Sequence, residues 1–225
     1  MSVMSELLNQ IATCVERGKI NRASPFPPDM KGQDGADELT ASALEEGVTA
    51  QDVLSNGLVI GMQKIGVKFR ENKVFVPDVL MAAKAMNAGM AHLRPHFQSG
   101  ALKRKGVFVL GTVSGDLHDI GKNLVGMMIE GAGWEVVDLG VDVSIEKFIE
   151  SIKEHPGCVV GLSALLTTTM ANMQKTVAAI KEESPDTTIC VGGAPLTQEF
   201  ADRYGADCYS PEPQGAVEWL EKNTK

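Results

Sequence analysis

Residues 111–123 read GTVSGDLHDIGKN, and the rest of the chain can be interpreted around them. They follow the apolar run Val107-Phe108-Val109-Leu110 and precede Leu124-Val125-Gly126-Met127-Met128-Ile129, whose apolar positions suit a helix. A strand, a glycine-punctuated loop and a helix satisfy both flanks. The loop carries Asp116, His118, Asp119 and Gly121. A histidine leaving the carboxyl end of a parallel strand is well placed to meet a ligand.

Glycine-rich loops that open helices often cradle phosphates, but the spacing here is wrong for that. A nucleotide P-loop has four residues between its glycines, then Lys and Ser or Thr. Here five residues separate Gly115 from Gly121, and Lys122 is followed by Asn123. The dinucleotide pattern GxGxxG is absent, and Asp116 and Asp119 would repel a polyphosphate. What remains is Asp-x-His-x-x-Gly. Neutral imidazole ligates transition metals, and a ligating histidine usually passes its other N–H to a carboxylate. Asp116 lies two residues from His118, on the same face of an extended backbone. Gly121 would let the next helix turn sharply and would leave room for a bulky group. A helix N-cap at Asp116 or Asp119 beside a solvated histidine accounts for the same residues. The stretch alone leaves both readings open.

The chain's 225 residues have room for two small domains with cores of their own. Apolar residues make up 44%, an ordinary share for a globular protein. The net charge of −8 argues against nucleic acid or an anionic membrane as partner, since both call for a basic face. No run approaches the length of a transmembrane helix. The N-terminal MSVMSELLNQIATCVERGK is amphipathic, with no signal-peptide core or cleavage site, so the expected compartment is the cytoplasm. Cys14, Cys158, Cys190 and Cys208 are scattered without a CxxC pair, which does not suit zinc or an iron–sulfur cluster. Cys158 and Cys190 read as buried thiols of strand-like runs. His92 and His96 are spaced i, i+4, but Pro95 interrupts the helix between them and no HExxH pattern is present. They read as a helix end and its exit.

Taken in order, residues 2–18 form an amphipathic helix with Leu7, Leu8, Ile11, Ala12 and Val15 on one side. A Pro- and Gly-rich stretch, 21–35, reads as a solvated loop. Helices follow over 36–47, about 50–70 with Thr49 as N-cap, and about 77–93 with Pro77 at its start. Four helices with short joins imply a small bundle, residues 1–97. The polar, basic residues 98–105 suit an exposed linker. From 106 to 225 the pattern alternates. Strands are expected at 106–112, 134–138, 157–162, 187–191 and 206–208, with helices at about 120–131, 144–154, 168–183, 197–203 and 213–223. The fold class is therefore α/β: a helical bundle followed by a doubly wound, five-stranded parallel sheet.

Ligands of such sheets sit where loops leave the carboxyl ends of the strands. The Asp-x-His loop follows strand 1. GLSALLTTTM follows strand 3, with Ser163, Thr167, Thr168 and Thr169, and VGGAP follows strand 4, where Gly192 and Gly193 leave the backbone bare. The hydroxyls could also cap the next helix, and the glycines could simply make a turn. Together the three loops describe a slot beside a candidate metal-ligating histidine.

Asp116-x-His118-x-x-Gly121, Ser163-x-Leu165 and Gly192-Gly193, in this order on a five-stranded α/β domain, closely resemble the cobalamin-binding signature. A helical bundle directly upstream is shared with the corrinoid module of methionine synthase and with the corrinoid proteins of methanol and methylamine methyltransferase systems. The resemblance covers about residues 36–223 and implies a flavodoxin-like cobalamin-binding fold. It makes His118 the lower axial cobalt ligand, with the cofactor's dimethylbenzimidazole displaced and its nucleotide tail entering the sheet edge. It implies that Asp116 bonds the other imidazole nitrogen and that Thr169, where methionine synthase has serine, extends the relay. Ser163 would bond the buried base, and Gly192 and Gly193 would leave space for the tail. Asp119, Gly121, Leu165 and Thr167 would lie against the cofactor. In the bundle, Phe69 and Val76 match the apolar residues that cover the methyl face of the corrin, with Val76 replacing a leucine.

The resemblance also implies a function: a methyl-carrying corrinoid protein. It would take a methyl group from a substrate-specific methyltransferase and give it to a second methyltransferase using tetrahydrofolate or a thiol. A reductive activase is a further expected partner. Protons on the His118–Asp116 relay would couple to cobalt chemistry, and the helical cap would move aside for each partner in turn. No barrel or reactivation domain accompanies the module, which favours a shuttle subunit. Three alternatives use the same motifs: a cobalamin-responsive sensor, the B12 subunit of a split methionine synthase, and that of a mutase.

Overall fold

The computed structural model of the protein describes residues 3–224. Ser2, at the expected start of the first helix, lies outside them. The chain divides into two compact units. One runs to Arg104 and includes Gly131–Gly133, and the other comprises Lys105–Glu130 and the chain from Trp134 onward.

The first unit is helical: α1 (Val3–Arg17), α2 (Ala36–Glu45), α3 (Ala50–Asp52), α4 (Val59–Arg70) and α5 (Val76–Gln98). A π-helical segment, Val53–Leu58, joins α3 to α4 without a break, so these form the single helical rod expected over 50–70. Thr49 caps it, its hydroxyl accepting from the Asp52 N–H. The π turn is absent from any periodicity reading, because widening one turn shifts the apolar stripe without interrupting it. α1 packs on α4, where Gly61 is required. A Cβ there would stand 2.5 Å from Val15 Cβ. The helix expected to end at 93 continues to Gln98, with Pro95 inside it. A proline so near the C-terminus removes only one backbone bond and leaves the apolar face of α5, down to the fully buried Leu93, unchanged. His92 is consequently a helix residue, with Nε2 2.6 Å from Asp37 Oδ1 on α2. Part of the expected linker is anchored too: Leu102 is buried and its N–H donates to His96 O. The 21–35 stretch holds a single 3₁₀ turn, Pro28–Met30. It is tied down by the Arg17–Asp29 and Arg22–Asp34 ion pairs and by the buried Lys19, which donates to Ser24 O.

The second unit runs β1 (Val107–Thr112), α6 (Ile120–Gly131), β2 (Glu135–Asp138), α7 (Ile145–Glu154), β3 (Val159–Ser163), α8 (Met170–Glu183), β4 (Thr188–Gly192), α9 (Gln198–Tyr204), β5 (Cys208–Tyr209) and α10 (Pro213–Asn223). The strands pair in the order β2-β1-β3-β4-β5, all parallel. Alternation along each strand sends neighbouring side chains to opposite faces. Val109, Val160 and Ile189 join Phe148, Ile152, Met173, Val177 and Ile180 in a core under α7 and α8. Leu110, one residue from Val109, lies against Gly126 of α6, on the other face. Burial on both faces explains the continuous apolar strands read from the sequence. The order reverses between β1 and β3, so their outgoing loops diverge and leave a crevice at the carboxyl edge. Among the described residues no helix is long and apolar enough to cross a membrane.

Candidate functional site

The loop after β1 bends immediately. Asp116 N–H donates to Val113 O, and Gly115 takes a positive φ of 82° that a side chain would resist. This turn drives the Asp116 carboxylate inward, where it is fully buried. A buried charge is tolerated only when its lone pairs are filled. Oδ1 accepts from the His118 N–H at 3.1 Å and lies 2.8 Å from His118 Nδ1. Oδ2 accepts from Thr169 Oγ1 at 2.7 Å, Leu165 N–H at 2.7 Å and Leu166 N–H at 3.3 Å. Burial pushes the Asp116 carboxyl up. The bonds from Thr169, Leu165 and His118 outweigh that effect and hold it well below the usual carboxylate range.

This network dictates the state of His118. A carboxylate only accepts, so in the neutral ring the proton sits on Nδ1 and Nε2 carries the free lone pair. Nε2 has no partner among the described residues, and the side chain is 50% exposed. The surrounding rim is apolar. Leu117 is 72% exposed and Ile120 70%, with Leu165, Leu166 and Val141 also open to solvent. Bulky apolar side chains held outward around one oriented imidazole suit a broad group with an apolar face and a central Lewis acid. Among the described residues no three His, Cys, Asp or Glu side chains gather as a metal site. A metal on His118 would therefore bring its other ligands with it.

The neighbouring loops contribute mostly backbone. Ser163 ends β3, in register with Thr112 and Gly192. Its side chain is half-buried, and its hydroxyl has no partner among the described residues. Gly193 has φ 136°, and a Cβ there would lie 1.8 Å from Ala164 O, so the β3 and β4 loops touch main chain to main chain. At Gly192 a Cβ would come no closer than 3.4 Å to Ser210 O. Both glycines are expected to make room for a tail. For Gly193 the protein's own backbone already demands it.

Two other expectations change. Gly121 lies inside α6 rather than at a sharp turn, and a Cβ there would meet nothing within 4 Å. Of its two expected roles, only the open space is present. Thr169 sits at the N-cap of α8, yet its hydroxyl makes no capping bond and goes to Asp116 instead. The capping reading of that threonine is thereby excluded. Asp119 lies just before α6, where its Oδ2 accepts from Asn123 Nδ2, away from the relay. Thr167 is exposed in the turn before α8, beside Pro195 and Phe200. Phe69, in the last turn of α4, and Val76, the first residue of α5, are half-buried members of the helical unit.

Four residues that support the loop escaped sequence reading. Thr112, fully buried, donates from Oγ1 to His118 O at 2.9 Å. Asn172 donates from Nδ2 to Ser114 O at 2.8 Å. Asp142, from the β2–α7 loop, bonds to both Gly115 and Asp116. Lys122, buried in α6, donates to Asp138 and Asn123. Asp142 and Asn172 reach the loop from elements 27 and 58 residues away, whereas Thr112 and Lys122 lie in or beside the loop but have residue types that announce no such role.

Two family models described as B12 binding domains match residues 106–218 and 33–94. The chain is 45% identical over 172 residues to dimethylamine corrinoid protein 3 of Methanosarcina acetivorans, covering 76% of this chain and 81% of that one. It is 42% identical over 186 residues to trimethylamine corrinoid protein 1 of Methanosarcina mazei, covering 82% and 88%. Among solved structures, a cobalamin-binding protein from Desulfitobacterium hafniense aligns with a TM-score of 0.73 and 30% identity over 97% of both chains. The methanol:cobalamin methyltransferase complex of Methanosarcina barkeri aligns with a TM-score of 0.79 and 28% identity, covering 96% of this chain and 79% of that one. The chain thus belongs to the B12-binding corrinoid proteins, and its cofactor is cobalamin or a related corrinoid.

Proposed function

We propose that this protein is the methyl carrier of a corrinoid-dependent methyltransferase system. It accepts a methyl group from a substrate-specific methyltransferase and yields it to a second methyltransferase whose acceptor is tetrahydrofolate or a thiol. A reductive activase restores the cofactor when it is lost to oxidation. The observation that carries this reading is the oriented imidazole. His118 presents Nε2 outward while a fully buried, fully bonded carboxylate fixes its Nδ1. When bound, the corrinoid would supply a cobalt centre able to carry a methyl group.

The chain's own residues do the rest. His118 Nε2 would be the protein's ligand to the cobalt. Asp116, itself held by Thr169, accepts the bond from Nδ1–H and would serve as the relay behind the ligating ring. Leu117, Ile120, Leu165 and Leu166 exclude water from the corrin face beside the ligand. Ser163 would offer its hydroxyl to the buried base, and the open space at Gly121, with the bare backbone at Gly192, would admit the cofactor's periphery. Residues 1–97, joined by residues 98–105, would act as a cap, with Phe69 and Val76 as its candidate residues for covering the cofactor. The cap withdraws as each partner docks.

The reading is tested with the loaded protein carrying a radiolabelled methyl group. Label should move to tetrahydrofolate or a thiol only when an acceptor methyltransferase is added. Full transfer to the free acceptor without that enzyme would overturn the carrier role. An undiminished rate after residues 1–97 are cross-linked to the α/β unit would instead overturn the moving cap and leave the carrier role standing.

A further inference from the structure

Asp142 adopts a conformation that side chains avoid. Its φ is 52°, and with Asn72 it is one of two non-glycine residues at positive φ among the described residues. Aspartate tolerates this region better than most residues, but such strain persists only where the surroundings enforce it. The surroundings here are the histidine loop. Asp142 Oδ1 accepts from Gly115 N–H at 2.7 Å and from Ser114 Oγ at 3.3 Å. Asp142 N–H in turn donates to Asp116 O at 3.0 Å. One residue therefore grips the turn on both sides, through its carboxylate before Asp116 and through its backbone at Asp116.

The grip extends the sheet. Beyond the last β1–β2 pair, Thr112 N–H donates to Gly140 O and Val143 N–H donates to Thr112 O. The β2–α7 loop thus continues to pair with the chain leaving β1, up to the relay carboxylate. Asn172 Nδ2 holds Ser114 O from α8. The Asp116 side chain is anchored independently, by Leu165 and Thr169 across the crevice. Two anchors on different elements then fix one residue: β3–α8 fixes its carboxylate and β2–α7 its backbone. The direction from Asp116 to His118 is set only when both hold.

We infer that Asp142 is a positioning residue for the axial histidine. Its bonds to Gly115 and Asp116 keep His118 in register with the Asp116 carboxylate, and so hold Nε2 in its ligating form. The inference rests on the corrinoid reading above only for the word axial. The orientation itself is a property of the protein without cofactor.

The test uses the cofactor-free protein with ¹⁵N-labelled histidine. In wild type at pH 8, long-range proton–nitrogen correlation should show His118 as a single tautomer protonated at Nδ1. In Asp142→Ala, both tautomers should appear and the Gly115 amide should exchange at least tenfold faster. Asp142→Asn keeps an acceptor and tolerates positive φ, so it should restore the wild-type pattern. Asp142→Gly relaxes the backbone yet lacks the acceptor, and should behave like alanine. Hydroxocobalamin affinity should fall about tenfold in the alanine and glycine variants, the low end of losses seen when a ligand's supporting bond is removed. An unchanged tautomer in both Asp142→Ala and Asp142→Gly would overturn the inference, as would failure of Asp142→Asn to rescue. If the tautomer shifts as stated but wild type takes up no corrinoid, the positioning role stands and the functional reading falls.

Discussion

Asp116→Asn isolates the chemistry of the relay, because it changes one acceptor oxygen into a donor at constant shape. In wild type the carboxylate receives five donors, two at Oδ1 and three at Oδ2. An asparagine amide has to point its NH₂ at one of these sets. Turned toward β3, it opposes the Leu165 N–H. Thr169 can escape by redirecting its hydroxyl to Leu166 O, 2.9 Å away. Turned toward His118, it opposes the His118 N–H and forces the ring into the Nε2–H tautomer, which leaves Nε2 no lone pair for a metal. Either way at least one part-buried N–H loses its acceptor, at about 1–3 kcal/mol, and charge-assisted bonds become neutral ones. We expect the cofactor-free variant to lose about 2–4 kcal/mol at pH 7, read from urea denaturation midpoints at constant m. The pH dependence has a definite sign. The folded carboxyl titrates below its unfolded range, so its stabilisation is complete above about pH 4 and is lost as pH falls toward the folded value. The gap between wild type and Asn should therefore narrow as pH falls below about 4. A difference under about 0.5 kcal/mol at pH 7 would refute the claim that the five bonds hold a buried charge.

Other substitutions separate the protein's own needs from those of its ligand. Gly193→Ala places a methyl within 1.8 Å of Ala164 O at a φ of 136°, so the cofactor-free fold itself should be destabilised by at least about 3 kcal/mol in a thermal melt. Ser163→Ala should do the reverse. With no protein partner to lose, it should shift the cofactor-free melting temperature by less than about 2 °C while weakening hydroxocobalamin binding in equilibrium dialysis. Thr49→Ala removes the cap on the Asp52 N–H and should cost the helical unit about 1 kcal/mol in urea denaturation.

Much of this arrangement is legible in the sequence because it is local. Two-face burial makes β1 an unbroken apolar run, and the Asp116-to-His118 spacing survives directly as a side-chain bond. Thr169 could be placed by its resemblance to a known relay, but the bond that excludes helix capping spans 53 residues and emerges only from the fold. Asp142 is wholly non-local, and Thr112, though only six residues from His118, has a residue type too ordinary to announce its bond. Pro95 misleads for the opposite reason. A strong local signal for ending the helix is overridden by the packing of α5 through Leu93 and by the bond from Leu102 to His96. Gly121 does not use the conformational freedom its motif suggests, since a glycine in a motif does not reveal whether backbone angle or empty space is needed.

The most direct test of the account is the visible spectrum of the protein reconstituted with hydroxocobalamin, measured beside His118→Ala. Wild type should retain the corrin through gel filtration, with a spectrum typical of an imidazole ligand below the cobalt. The variant should retain less of it, with the band positions moved to those of water or the cofactor's own base. Identical spectra from the two proteins would contradict His118 ligation, and no retained corrin in either would contradict the binding site as a whole.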